Sequence, residues 1–247
     1  MSGHNRWSKI KHAKAATDAK RAAGWTKALR EVAMAAKSGG DPGTNARLRA
    51  AVEKARAVNV PNDTIKRSIQ KAAGEPGGDS YEDLVYEVYG PGGCAAVVEI
   101  LTDNRNRTAG EIRKLLERHH GKLAASGSVL YLFHKQGHIL FETGTVDEDA
   151  LMETALEAGA DDVRTEDGGF VVVTQPGQML TVKEALEAKA MKPVHTEVGL
   201  YPEITVRLEG KEAEQMLKLV NLLEEQEDVQ NVFANYEVDD ALLEQHG

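Results

Sequence analysis

The spacing of apolar residues changes at about residue 75. Before that point, large apolar side chains recur every three to four residues, as at Trp25, Leu29 and Val32, which predicts amphipathic helices. After it, short β-branched runs alternate with helical stretches. The stretch EPGGD at 75–79 is rich in turn-forming residues, so it predicts a linker between two parts of different architecture.

Three helices are predicted before the linker. The first ends at GGDPG, residues 39–43, and the second begins near Thr44 or Asn45, since either side chain can cap a helix. The third begins just after Pro61, which ends the second. Residues 1–78 are therefore expected to form a three-helix domain.

The rest of the chain predicts two α+β domains. Predicted strands cover residues 84–89, 95–101, 129–133, 139–142, 162–165, 170–174, 194–198, 204–208 and 229–236, and predicted helices cover 108–119, 147–157, 181–189 and 211–225. The elements from 139 to 198 follow the order βαββαβ, which is typical of a ferredoxin-like domain. The simplest topology is one α+β domain, residues 79–136 and 203–247, interrupted by the ferredoxin-like domain at 137–202.

Composition narrows the class of protein. A single cysteine, Cys94, excludes an internal disulfide framework and favours a reducing, cytoplasmic environment. Cys94 lies in an apolar run and is expected to be a core residue. No run of apolar residues is long enough to predict a membrane span. Residues 1–37 are basic and poor in acids, as organelle transit peptides are, but their motif content favours a working part of the protein.

Charge is divided unequally along the chain. The formal net charge is −9, yet residues 1–74 carry 16 Lys and Arg against five Asp and Glu, and the remainder has the opposite excess. The two parts therefore carry +11 and −20. Such a division predicts a nucleic-acid-binding module on an acidic body.

The basic segment at residues 3–21, here called the arm, concentrates the candidate nucleic-acid contacts. Its only large apolar residues are Trp7 and Ile10, so it can bury little surface, and we expect it to order on binding. Its cations can neutralise phosphates, and Trp7 can stack on an unpaired base. The candidate contacts are Arg6, Trp7, Lys9, Lys11, His12, Lys14, Lys20 and Arg21, together with Lys27, Lys66 and Arg67 in the predicted helices.

The stretch TDNRNRT at 102–108 joins a predicted strand to a predicted helix. An anion could dock at the helix N-terminus beside Arg105 or Arg107. Equally, Asn106 or Thr108 could simply cap the helix. The sequence favours neither alternative over the other.

No pattern typical of an enzyme is present. The close histidine pairs, His119–His120 and His134/His138, lack the cysteine or carboxylate partners of a metal site. The GPGG turn at 90–93 lacks the lysine and hydroxyl residue of a phosphate-binding loop and predicts a tight hairpin. We therefore expect a non-enzymatic protein with no cofactor, metal or small-molecule substrate.

Four long segments resemble the YebC family: GHNRWSKIKHAKAATDAKR, NARLRAAVEKARAVNVPNDTIKR, YEVYGPGGCAAVVEILTDNRNRTAGEIRK and GSVLYLF. The resemblance implies a helical domain followed by two α+β domains, one inserted in the other. Members of that family usually have Lys and Phe where this chain has Ala23 and Trp25, with Gly24 between. Gly24 predicts a break between the arm and the helices.

The family includes bacterial proteins described as transcriptional regulators and a mitochondrial translational activator of a cytochrome c oxidase subunit. The resemblance therefore implies a DNA-binding transcriptional regulator or, alternatively, a ribosome- or RNA-associated translation factor. The partners expected are DNA, ribosomal RNA or transfer RNA. The acidic domains are expected to face away from nucleic acid, or to contact a protein of the transcription machinery or the ribosome.

Overall fold

The computed structural model describes residues 18–74, 81–166, 168–239 and 241–243, with side chains from residue 24 onward. The helices are α1 (Asp18–Ala36), α2 (Ala46–Ala57), α3 (Asn62–Gly74), α4 (Arg105–Arg118), α5 (Glu148–Glu157), α6 (Met179–Ala188) and α7 (Gly210–Glu225). The strands are β1 (Glu82–Tyr89), β2 (Ala95–Thr102), β3 (Lys122–Leu123), β4 (Phe133–Glu142), β5 (Asp162–Glu166), β6 (Gly169–Thr174), β7 (His195–Pro202), β8 (Val206–Arg207), β9 (Val229–Ala234) and β10 (Tyr236–Glu237). The predicted fold class, helices followed by two α+β domains, is confirmed.

Helices α1 to α3, here called the helical unit, pack around a core of their own. Its fully buried members are Ala28, Val32, Ala35, Ala36, Leu48, Ala51, Val52, Ala55, Val60 and Ile65. Asn45 caps α2, as predicted, because its side chain accepts a hydrogen bond from the amide of Leu48 at 3.0 Å. The Trp25 indole donates to the carbonyl of Val58 at 2.9 Å, which ties α1 to the end of α2.

The break predicted at Gly24 is wrong, because α1 runs without interruption from Asp18 to Ala36. Glycine costs a helix about 1 kcal/mol relative to alanine. The packing of Ala28, Leu29 and Val32 on the other two helices outweighs that cost.

The first sheet has the strand order β3-β1-β2-β9, with every neighbouring pair antiparallel. Helices α4 and α7 cover one face, where Val98, Ile112 and Met216 belong to the main core. The other face is covered in part by the start of β4, through a smaller cluster that includes Val97 and Phe133.

The strand predicted at 129–133 is wrong for most of its length. Residues Leu130–Leu132 form a single 3-10 turn, and β4 begins only at Phe133. The cause is the buried carboxylate of Glu87, which accepts hydrogen bonds from the amides of Gly127, Val129 and Leu130 at 2.5, 2.5 and 2.8 Å. Burial by itself would raise the pKa of Glu87, but these backbone donors outweigh it and hold the pKa below its usual value.

The second sheet has the ferredoxin-like order β5-β6-β4-β7, again antiparallel throughout. Helices α5 and α6 cover one face, and their Leu151 and Leu186 pack against Phe141 and Val172. Its first and last strands extend beyond residues 137–202, since β4 begins at Phe133. The exact domain boundaries stay a prediction. The strand predicted at 204–208 contracts to β8, which pairs in parallel with β10.

The GPGG segment forms the predicted tight turn between β1 and β2. Gly92 lies at φ = 66°, a conformation that L side chains rarely adopt. A Cβ atom there would lie 2.3 Å from Cδ2 of Leu208, so glycine is required on steric grounds as well.

Two glycines give opposite expectations for substitution by alanine. A Cβ at Gly24 meets nothing within 4 Å, so Gly24→Ala should raise the free energy of unfolding by about 1 kcal/mol. Gly92→Ala should lower it by about 2 kcal/mol, because positive φ and the contact with Leu208 both oppose it. Urea denaturation of the two variants measures both effects. A destabilised Gly24→Ala would contradict a continuous α1.

Candidate nucleic-acid interface

The arm lies largely outside the described residues. This holds for Arg6, Trp7, Lys9, Lys11, His12 and Lys14. Lys20 and Arg21 lie in the first turn of α1, but their side chains are also outside the described part. All these contacts therefore stay predictions, and the described surface of the helical unit carries the structural argument.

Five cations lie on the outer side of the helical unit, and they are here called the outer cationic face: Arg49, Arg56, Lys66, Arg67 and Lys71. All five are exposed, and among the described residues none of them forms an ion pair with a carboxylate. Arg56 donates to the amide oxygen of Asn62 at 3.1 Å, and Arg67 donates to the carbonyl of Asp63 at 3.2 Å. The predicted contacts Lys66 and Arg67 are therefore available to an external anion.

Three further cations, Lys27, Arg30 and Arg47, lie on a different side of the helical unit and contact the sheet domains. They are here called the docked cations. Arg47 lies on the opposite flank of α2 from Arg49, since α2 buries Leu48 between them. The helical unit therefore presents two cationic surfaces, and only one of them is free.

Each docked cation binds oxygen atoms of the acidic body, meaning residues 81–239. The Lys27 ammonium donates to the carbonyl of Glu224 at the end of α7. The Arg47 guanidinium lies 2.7 Å from Oδ2 of Asp83. Lys27 was a predicted nucleic-acid contact, and here it is half-buried against the body. Burial is the main cause that lowers the pKa of Lys27, and it acts against the charge of Glu224.

Asp228 is the centre of the contact between the two parts. Arg30 donates to its Oδ1 at 3.0 Å and to the carbonyl of Glu227 at 2.9 Å. On the other side, Arg107 donates to Oδ2 at 2.8 Å, and the hydroxyls of Thr102 and Thr108 lie 3.2 and 2.7 Å from the same oxygen. Asp228 is only 5% exposed, so this carboxylate is buried between two guanidinium groups.

The protonation of Asp228 follows from these partners. Burial would raise its pKa, but hydrogen bonds from Arg107 and Thr108 outweigh burial and hold the pKa below its usual value. The hydrogen bond to Asp228 likewise raises the pKa of Arg107 above its usual value. The carboxylate is therefore ionised at neutral pH and supplies the negative charge that both arginines need.

The predicted anion site at the start of α4 is occupied in part by the chain itself. Asn104 caps α4 by accepting from the amide of Arg107 at 3.1 Å, so the cap is neither Asn106 nor Thr108. Arg107 is engaged by Asp228 and by Asp103 at 2.8 Å. Arg105 is exposed, and anion binding beside it stays a prediction.

The described residues give no support to enzyme chemistry. They contain no group of three His, Cys, Asp or Glu side chains placed to hold a metal ion. Burial raises the pKa of the Cys94 thiol to about 12, so this sulfur is a core atom and not a nucleophile. Among the residues described, no helix has the length and apolar character needed to cross a membrane.

Sequence reasoning missed the residues that join the two parts. Arg30, Arg47, Asp83 and Asp228 look like ordinary surface charges in the sequence, because the partners lie 36 and 198 positions apart. Only the unusual stretch at 102–108 marked one side of the Asp228 site, and nothing in it indicates the second side.

Replacement of Asp228 should weaken the fold in a pH-dependent way. Asp228→Asn leaves two cations without their anion, so we expect a loss of about 3 kcal/mol in the free energy of unfolding at pH 7. Because the folded pKa is depressed, the contribution of Asp228 is present above its unfolded pKa of about 4 and disappears as pH falls through the folded pKa. The difference between wild type and variant should therefore shrink in acid.

Urea denaturation at pH 7 and at successively lower pH values measures this difference. Asp103→Asn is the matched control, since Asp103 binds the same Arg107 from an exposed position and should cost less than about 1 kcal/mol. Equal losses for the two variants, or a difference that does not change with pH, would contradict the assignment of Asp228.

Comparison with known proteins places the chain in a family. A model described as the TACO1/YebC protein N-terminal domain matches residues 5–75, and one described as the TACO1/YebC second and third domain matches residues 81–236. A "Probable transcriptional regulatory protein" of Pelotomaculum thermopropionicum is 50% identical over 243 residues, covering 97% of this chain and 100% of that protein. One of the same description from Treponema denticola is 49% identical over 239 residues, covering 96% and 97%.

A solved structure is similar over nearly the whole length. The crystal structure of a conserved hypothetical protein from Aquifex aeolicus aligns with a TM-score of 0.79 and 40% identity, covering 91% of this chain and 93% of that one. Because the family models match most of the chain and the relatives match it almost end to end, the chain belongs to the TACO1/YebC family.

Proposed function

We propose that this protein is a non-enzymatic, nucleic-acid-binding regulatory protein that works in the cytoplasm. The observation that carries the proposal is the outer cationic face, five exposed cations that have no carboxylate partner within the described chain. The chain places them on the part with a formal charge of +11, whereas the remainder carries −20. A polyanion is the ligand that fits such a surface.

The energetics of binding would come from phosphate contacts. Each phosphate that a lysine or arginine neutralises releases condensed counterions, which favours binding and makes it dependent on salt. The acidic body would repel the same phosphates, so contact is confined to the helical unit and the arm. The mechanism is then occupancy and positioning of the nucleic acid, with no chemical step.

The finer proposal is a DNA-binding transcriptional regulator. The relatives from P. thermopropionicum and T. denticola carry that description. Helix α3 buries Ile65 and presents Lys66, Arg67, Gln70 and Lys71 on its exposed side. Arginine and glutamine are side chains that read base edges in the major groove, and a 13-residue helix fits that groove.

The alternative is an RNA- or ribosome-associated factor in translation. The outer cationic face favours it in one respect, because five cations accompany a single amide side chain, Gln70. Contacts to phosphates would then outnumber contacts to bases. Recognition through shape and backbone is typical of structured RNA.

A salt titration tests the proposal. We expect the triple variant Lys66→Ala, Arg67→Ala, Lys71→Ala to bind a 20-bp DNA duplex less tightly, with the slope of log K against log salt reduced by about 2.7, since each phosphate contact contributes about 0.9. Fluorescence anisotropy between 50 and 300 mM salt measures the slope. A structured RNA hairpin measured in parallel decides between the two finer functions by its affinity relative to the duplex.

The matched control is Lys189→Ala, Lys192→Ala, Lys211→Ala, which removes three exposed lysines from the sheet domains. It changes the net charge equally and should leave the slope nearly unchanged. If both triple variants shift the slope by the same amount, the outer cationic face is not the binding surface.

A further inference from the structure

We propose that the docked cations form a second phosphate-binding face of the helical unit, which the acidic body covers, and that nucleic acid competes with the body for it. This inference rests on the proposed function. It adds a binding surface, Lys27, Arg30 and Arg47, and a conformational step that uncovers it. The body would then act as an internal competitor of the nucleic acid.

The atoms that hold the docked cations are of the kind that a phosphate backbone offers. Lys27 and Arg30 donate to the carbonyl oxygens of Glu224 and Glu227, at the C-terminal and therefore negative end of α7. Arg30 and Arg47 also reach carboxylate oxygens, at 3.0 Å on Asp228 and 2.7 Å on Asp83. Every partner is an oxygen acceptor with negative charge or partial charge.

These three side chains come from the same helices that build the outer cationic face or lead into it. Lys27 and Arg30 follow the arm along α1, and Arg47 shares α2 with Arg49 and Arg56. When released from the body, they would continue the cationic surface around the helical unit. The site therefore needs no new fold, only removal of the acidic surface that lies on it.

The contact between the two parts has little apolar material to hold it closed. Within the described chain, the hydrophobic cluster of the helical unit contains no residue of the sheet domains, and the clusters of the sheet domains contain none of the helical unit. A polar cleft of about 350 Å³ adjoins the contact and is lined by Glu31 and Arg47 on one side and by Asp83, Glu99 and Gln230 on the other.

The ion pairs differ in strength in a way that permits release. The side chains of Arg47 and Asp83 are 54% and 57% exposed, so this pair is screened by salt and weak. The Arg30 side chain is 13% exposed and faces a buried carboxylate, so this pair is the stronger one. A polyanion that offers several phosphates at once can replace the weak pair first and then compete for Arg30 and Lys27.

The affinity measured for nucleic acid should therefore depend on the fraction of molecules that are undocked. When the binding-competent state is a minor population, the apparent affinity falls by that fraction. Any change that weakens docking without touching the cations should raise the affinity. This predicts a gain of binding from removal of a particular acid, beyond the general effect of its charge.

The test compares two neighbouring acids on β1. Asp83→Asn removes the partner of Arg47, whereas Glu82→Gln removes an exposed acid next to it with the same change in net charge. We expect Asp83→Asn to bind a 20-bp DNA duplex about threefold to tenfold more tightly at 50 mM salt, and Glu82→Gln less than about twofold more tightly. Fluorescence anisotropy with the full-length chain gives both values.

A third variant shows whether Arg47 itself makes the new contact. Adding Arg47→Ala to Asp83→Asn should cancel the gain, and circular dichroism melts should confirm that all three variants are folded. Equal affinities for Asp83→Asn and Glu82→Gln would overturn this inference and leave the proposed function intact. Absence of binding to both the duplex and an RNA hairpin by wild type would overturn the proposed function instead.

Discussion

The carboxylate of Asp228 is buried where the acidic body meets the basic helical unit, and it accepts hydrogen bonds from both parts. Arg30 reaches it from α1 and Arg107 from α4, while Thr102 and Thr108 complete its coordination. A buried anion between two guanidinium groups costs desolvation and becomes favourable only when its partners are in place. The position of the helical unit therefore depends on one side chain that no apolar contact can replace.

This constraint divides the cations of the helical unit into two groups. Arg30 is fixed to Asp228, and Lys27 and Arg47 lie on the same covered side. The exposed cations of α2 and α3 remain on the other side. A chain whose two parts carry +11 and −20 would be expected to neutralise itself completely, yet the helical unit keeps an unpaired basic surface for an external polyanion.

Local patterns predicted the elements well because helix caps, apolar spacing and turn residues act over short distances. Asn45 capped α2 as expected, and the βαββαβ order indicated the ferredoxin-like sheet. The errors arose where distant groups override local preference. Glu87 holds the amides of 127–130 and prevents a strand there, and helix packing carries α1 through Gly24. The docking of Arg30 on Asp228 joins residues 198 positions apart, and no local pattern encodes such a pair.

Small-angle X-ray scattering of a charge-reversal variant tests the dependence on Asp228 most directly. Arg30→Glu places a carboxylate against Asp228, whereas Arg49→Glu makes the same change in net charge on the exposed side of α2. The account predicts a larger radius of gyration for Arg30→Glu than for wild type, with Arg49→Glu unchanged. Equal radii for all three proteins would show that the helical unit is held on the body by something other than this buried carboxylate.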